Sequence, residues 1–281
     1  MLAALLVILA HVAAALVLSW AYFRRCRIAR PPIGVLNLRD VALMVGGIVV
    51  VPYLYLALPR WLIAGLLALG ILSAIFFALE PIFRLRPALW ASIILLAAAD
   101  IAAARLDGSP GARFLLANNL ALVLAVVGLT NLWAQSGMRA RDAAALAGLL
   151  AIYDLIATWL LPLMTDLFAS VSGLPFAPIV AWPVGSGGLW LGIGLGDLLL
   201  AAAYPLVVRK AFGRAAGRAA LILGLACLAI VAALPALGLA HATFPVMIVL
   251  GPLIVGQYLV CRRRGSERTT WQYEMAEPAL R

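Results

Sequence analysis

Charge is what this chain has least of. Only 11 of its 281 residues are Asp or Glu, and charged residues of both signs make up 11% of it, against roughly a quarter in a soluble domain. With 66% hydrophobic residues and a mean hydropathy of +1.10, the apolar area left outside any core would aggregate in water. Lipid is the solvent that fits. Cysteine is also scarce: Cys26, Cys227 and Cys261 are widely separated, which excludes a disulfide framework or a cysteine-based zinc site. The two histidines, His11 and His241, have no ligand set around them, so no metal and no cofactor is expected. No polar stretch is long enough for a soluble domain. Residues 1–261 read as one transmembrane domain, followed by a polar tail at 262–281.

What the chain does have is long apolar runs. About 20 residues of helix span the ~30 Å hydrocarbon core, and such runs occur at about 1–22, 41–59, 61–80, 87–104, 114–134, 143–164, 187–208, 218–239 and 243–260. The expected fold is all-α, a polytopic membrane protein of about nine transmembrane helices. The first run lacks a positive leader and is followed by Arg24, Arg25 and Arg27, which marks a retained helix rather than a signal peptide.

The net charge of +10 does not indicate nucleic acid, because the arginines stand in short clusters between apolar runs. In a membrane protein such clusters encode orientation. On the nine-helix map only Arg60, Arg105 and Arg113 fall on one side, and the remaining basic residues among the 21 fall on the other. The N-terminus is therefore expected outside and the C-terminus in the cytoplasm, in what reads as a prokaryotic inner membrane. The one long connection, Thr165 to Ser186, contains Pro175, Pro178 and Pro183 and no basic residue. It is too interrupted to span as a helix, and a long apolar loop in a tight protein is either functional or a plain surface loop. The tail from Arg262 is expected to lie disordered at the cytoplasmic surface.

Three carboxylates fall within expected spans: Asp100, Asp154 and Asp197. A charge there costs several kcal/mol unless it faces protein or water. Asp100 is near the outer end of its helix, where it can reach the interface or pair with Arg105, and reads as structural. Asp154 and Asp197 each lie about ten residues, or about 15 Å of helix rise, from the outer end of antiparallel neighbours. Neither has a basic residue nearby on its helix. Two such groups are tolerated if they face one another and share a proton, the arrangement in which one carboxylate activates water and the other polarises a carbonyl. Two buried protonated aspartates in helix contacts, or a proton relay in a transporter, fit the same depths.

The flanking residues discriminate. Tyr153-Asp154 in the sixth helix and Gly194-Leu195-Gly196-Asp197 in the seventh resemble the YD and GxGD motifs of the presenilin and signal peptide peptidase family of intramembrane aspartyl proteases. The family's Pro-Ala-Leu motif near the head of the last helix has no counterpart there. That tripeptide occurs at Pro87, Pro235 and Pro278, whereas the corresponding position holds Pro245-Val246-Met247. The resemblance covers the four helices from about 143 to 260. It implies Asp154 and Asp197 as the catalytic pair, supported by Tyr153, Gly194, Leu195 and Gly196, with Pro245, Val246 and Met247 binding substrate and neither metal nor cofactor taking part. It implies transmembrane helical peptides as substrates, such as signal-peptide remnants or type II membrane proteins. The unwound substrate would add as a strand, with its partner expected between Thr165 and Ser186. The alternatives are a proton-coupled transporter, or a protease resembling the prepilin peptidases, which also use a GxGD aspartate.

The orientation is directly testable. With Cys26, Cys227 and Cys261 replaced, a single cysteine at Ser170 or Ser186 will react with an impermeant maleimide on intact cells, and one at Ser266 only after lysis. The opposite pattern would invert the topology and the expected substrate class.

Overall fold

The structure, a computed structural model, describes residues 1–28, 38–106, 111–161, 163–184, 189–237 and 244–276. The expectations that touch Arg30, Ser186, His241, Arg281 and the Pro278-Ala279-Leu280 triplet lie outside the described residues. Within them the fold is helical: α1 (Leu2–Arg25), α2 (Leu38–Ala57), α3 (Arg60–Leu79), α4 (Arg86–Leu106), α5 (Ala112–Gln135), α6 (Ala140–Asp154), α7 (Leu163–Val171), α8 (Leu195–Phe212), α9 (Arg214–Ala236), α10 (Met247–Arg264) and α11 (Thr270–Ala276). A single antiparallel hairpin, β1 (Ile179–Val184) with β2 (Leu189–Gly194), interrupts the series.

Among the described residues six helices, α1 to α5 and α9, are long and apolar enough to cross a membrane. The bundle is organised about α5, whose apolar window is 61% buried, while that of α2 is only 11% buried. Helix α5 packs against α1, α3, α4, α8 and β1. The outward faces of α2, α3 and α4 expose Leu43, Val50, Leu69, Ile94 and Leu95, an apolar coat suited to lipid, as a multi-pass membrane protein requires. Polar cross-links join the inner faces. Asn131 Nδ2 on α5 donates to Ser19 O on α1 at 3.2 Å, and the Tyr204 hydroxyl on α8 donates to Ile254 O on α10 at 3.0 Å. Small and hydroxylated side chains at such crossings replace the hydrophobic drive that lipid removes.

The remaining three expected spans, 143–164, 187–208 and 243–260, differ from the expectation. The sixth helix is regular only to Asp154, continues as a π-helical turn over Leu155–Leu160, and stops before Pro162. Proline has no N–H for a following turn and disfavours helix in the residue before it. The segment Leu189–Gly194 is strand rather than helix, because Leu191 and Ile193 alternate with Gly192 and Gly194, a pattern that pairs as strand and weakens a helix. The seventh helix thus starts at Leu195, and Asp197 lies in its first turn rather than ten residues deep. Helix α8 also carries Asp197, Arg209 and Lys210 within 18 residues, and α10 starts at Met247 and ends in Arg262, Arg263 and Arg264.

The connection from Thr165 to Ser186 is not a plain loop, since it holds most of α7 and all of β1. Nor does the tail lie loose up to residue 276. Glu267 Oε1 accepts the Ala140 amide at the head of α6 at 2.6 Å, and Arg268 N donates to Ala211 O near the end of α8 at 3.0 Å. Thr269 and Gln272 cap α11 reciprocally, backbone N–H to side-chain oxygen at 2.8 and 3.2 Å, the two-way arrangement that starts a helix in water or lipid alike. Tyr273 is buried and stacks on Phe23 of α1 at 5.8 Å between ring centroids. The cluster of Arg262–Arg264 suggested a solvated tail. The Thr-x-x-Gln box and the aromatic at Tyr273 were the local signals of order.

A carboxylate at a helix N-terminus satisfies an orphan amide and complements the dipole. Glu267→Ala is expected to lower thermal stability in detergent by about 1 kcal/mol, measured by melting. An unchanged melting temperature would mean that the contact carries no weight.

Candidate functional site

Each residue singled out by the motifs lines one cavity of about 540 Å³. Tyr153 and Asp154 come from the end of α6, Gly194, Leu195, Gly196 and Asp197 from the β2–α8 junction, and Pro245, Val246 and Met247 from the head of α10. Three stretches separated by about forty residues or more are thus brought to a single place. Both carboxylates are half-buried at its wall, and they interact electrostatically across it.

Asp154 is held by two donors. Met247 N–H reaches its Oδ2 at 3.0 Å, and the Thr158 hydroxyl reaches its Oδ1 at 3.1 Å. Both donors arise from irregular helix ends. Met247 is the first residue of α10, so its amide has no intrahelical acceptor, and Thr158 sits in the π-helical turn, a distortion frequent at functional sites. Helix α10 gets this close to α6 through Gly251. A Cβ there would lie 2.7 Å from both Ala147 O and Ala151 Cβ, so any side chain would push Met247 away from Asp154.

Asp197 is placed by the strand before it. Gly194 is the N-cap residue of α8, and Leu195 N–H donates to Pro178 O at 2.9 Å, extending the hairpin to the helix start. A Cβ on Gly194 would stand 3.1 Å from Asp197 Oδ2, whereas one on Gly196 would meet nothing within 4 Å. The first glycine of the GxGD pattern therefore makes room for the carboxylate itself, and the second leaves the cavity open beside it.

The hairpin has two unlike edges. In an antiparallel ladder alternate residues point their backbone groups to opposite sides. Because Pro178 O bonds Leu195 N, the groups of Gly192 and Gly194 turn away from β1, and both glycines line the cavity. Pro183 falls on the opposite edge, where its missing N–H removes no ladder bond. That edge is closed by α5, whose Asn118 and Asn119 side chains bond β1. Asp100 helps from α4. It is buried and its Oδ2 accepts Phe176 N–H at 2.8 Å, so its partner is that amide rather than Arg105. Phe176 itself has φ of +60°, a conformation costing of order 1–3 kcal/mol for a bulky residue and kept only where its surroundings enforce it.

Sequence reasoning missed Thr158, Asn118, Asn119, and the aromatic wall formed by Tyr55, Phe168 and Trp190. Thr158 stands four residues after Asp154, one helical turn on, and consecutive asparagines inside an apolar run were a visible signal of a polar duty. Among the described residues no cluster of three His, Cys, Asp or Glu side chains could hold a metal. No protein-family model matches the chain, and no curated protein matches it.

The close approach at Gly251 separates from ordinary glycine effects. Gly251→Ala is expected to destabilise the protein by about 1–3 kcal/mol through overpacking, whereas Gly256→Ala, where a Cβ meets nothing, stabilises by up to about 1 kcal/mol through helix propensity. Melting curves of the two variants check the contrast.

Proposed function

We propose that the chain is an intramembrane aspartyl protease, similar to the presenilin and signal peptide peptidase family, that hydrolyses peptide bonds within transmembrane helices. The observation that carries this reading is the convergence of Tyr153-Asp154, Gly194–Asp197 and Pro245-Val246-Met247 on one cavity, with the Met247 amide bonded to Asp154. On this reading α6, α8 and α10 complete nine spans together with the six long apolar helices. The N-terminus is outside and the C-terminus in the cytoplasm of a prokaryotic cell membrane.

The chemistry follows from two carboxylates with a water between them. One, ionised, takes a proton from water as it attacks the carbonyl carbon, and the other, protonated, gives its proton to the carbonyl oxygen. The tetrahedral intermediate then collapses as a proton moves to the leaving nitrogen. The Met247 and Thr158 donors fix the orientation of Asp154 through this exchange. A helical substrate must unwind first, because its carbonyls are otherwise bonded to its own amides. The unwound stretch finds a substitute in the exposed edge of β2 at Gly192 and Gly194, which turns backbone groups to the cavity and would add a third strand. The docking edge on this reading is that of β2, the partner of the strand β1 in the 165–186 connection. The apolar walls and Trp190, Phe168 and Tyr55 suit substrates that are themselves membrane helices.

Purified protein with a fluorogenic transmembrane peptide tests the reading. Asp154→Ala and Asp197→Ala are each expected to reduce cleavage at least about a thousandfold, in keeping with loss of a catalytic group that acts as part of a unit, while the protein still accumulates in the membrane. Asp100→Ala is expected to retain cleavage. A dyad variant that cleaves at the wild-type rate would refute the assignment.

A further inference from the structure

Asn118 and Asn119 are adjacent, fully buried in the N-terminal third of α5, and outside the cavity. Asn118 Nδ2 donates to Ala177 O at 3.0 Å and to Ile179 O at 3.1 Å. Asn119 exchanges two bonds with a single residue: its Nδ2 donates to Ala181 O at 2.9 Å, and its Oδ1 accepts Ala181 N–H at 3.1 Å. Together they occupy the edge of β1 where another strand would otherwise sit. A bare strand edge in apolar surroundings is costly, and that alone accounts for some polar group at this place. It does not account for the two-way bond. A donor alone would satisfy the carbonyl at any register, whereas an amide that both gives and takes at Ala181 is broken by any slip of the strand.

What is locked is close to the catalytic centre. Ala181 pairs with Gly192 and Ile179 with Gly194 across the hairpin, and Asp197 follows Gly194 by three residues. The asparagines therefore fix the height of the β2 edge against α5, and through the bundle against Asp154 on α6. We propose that Asn118 and Asn119 are positioning residues that determine which peptide bond of a docked substrate strand meets the dyad. The proposal rests on the proteolytic reading and on strand docking at β2. It makes cleavage position, rather than cleavage rate alone, a property of two side chains that lie outside the cavity.

The test uses the full-length protein in detergent with a synthetic transmembrane peptide, the products being weighed by mass spectrometry. Wild type is expected to cut predominantly at one bond. Asn119→Leu is expected to spread cutting over neighbouring bonds, and Asn119→Asp, which keeps an acceptor for the Ala181 amide and loses the donor, to spread it less. Asn131→Leu is the structural comparison. It removes a buried amide of the same helix that bonds α1, and is expected to lower the melting temperature and leave the bond cut unchanged. Hydrogen exchange reads the clasp without any activity. The Ala181 amide in Asn119→Leu is expected to exchange about tenfold or more faster, as loss of one hydrogen bond implies. Faster exchange with an unmoved cleavage site overturns the positioning role, and unchanged exchange overturns the clasp. Should Asn119→Leu not accumulate, Asn119→Asp carries the cleavage readout, and an unmoved bond there overturns the positioning role. A wild-type protein that cuts no transmembrane peptide overturns the proteolytic reading and this proposal with it. That outcome is distinct from the first two, which require a working enzyme or a moving amide.

Discussion

In a chain this apolar, a backbone N–H or C=O that leaves helical geometry must find its partner within the protein, because the surroundings offer none. A helix meets that demand by itself. A two-stranded hairpin does not, since each strand keeps one bare edge, and here it stands among helices with mean hydropathies that suit hydrocarbon. Much of the polar inventory around the hairpin is accounted for by this constraint. Asn118 and Asn119 close the outer edge of β1, Asp100 takes the Phe176 amide, and β2 closes the inner edge. What remains is the second edge of β2, and it faces the cavity that holds Asp154 and Asp197. On the proposed reading, the edge of β2 turned away from β1 is the one on which an unwound peptide would be bound.

The same constraint bears on why the motif residues stand at helix ends. A regular helix buries its polar backbone and presents only side chains, so a group meant to donate a backbone N–H has to come from a first turn. Met247 at the head of α10 and the first turn of α8 around Asp197 meet this condition, and the π-helical turn after Asp154 supplies Thr158. Glycine at 194 and 251 then permits approaches that a Cβ would block. Depth-matching of two mid-helix carboxylates led to the same pair of residues by a simpler picture. The structure replaces that picture with two broken helices whose ends meet.

How much could be read in the sequence follows from the range of the signal. Apolar runs of about 20 residues mark spans independently of their neighbours, and α1 to α5 and α9 were legible on that ground. Asp154, Asp197 and the residues beside them were legible because a carboxylate in an apolar run is costly and so conspicuous. The strand at Leu189–Gly194 was hidden by its composition, since Leu-Trp-Leu-Gly-Ile-Gly reads as readily as the start of an apolar helix. Only the pairing with Ile179–Val184, the strand that precedes it in the chain, decides the matter. The amides at 118 and 119 could be flagged as unusual but not assigned, because their partners Ala177, Ile179 and Ala181 are more than fifty residues distant and contribute only backbone.

The opposite end of the bundle bears on how the parts stay in register. Lys210 at the end of α8 is buried and donates to Ala134 O in the last turn of α5 and to Met138 O just beyond it, at 2.8 and 2.7 Å, while Arg209 lies 4.9 Å from the Trp20 ring of α1. Glu267 ties the tail to the head of α6, and Arg268 N ties the same tail to Ala211 of α8. The two helices that carry the aspartates are therefore joined at the ends far from the dyad as well as across the cavity. Basic residues that composition assigns to orientation alone are here also structural: a lysine that satisfies the last carbonyls of a helix complements its dipole while counting toward the charge bias. A helix is least rigid at its ends, and α6 passes into a π-helical turn at Asp154 while α8 begins only two residues before Asp197. Anchoring their regular ends to α5, α1 and the tail confines the freedom to the cavity side, which is where a substrate strand would need it.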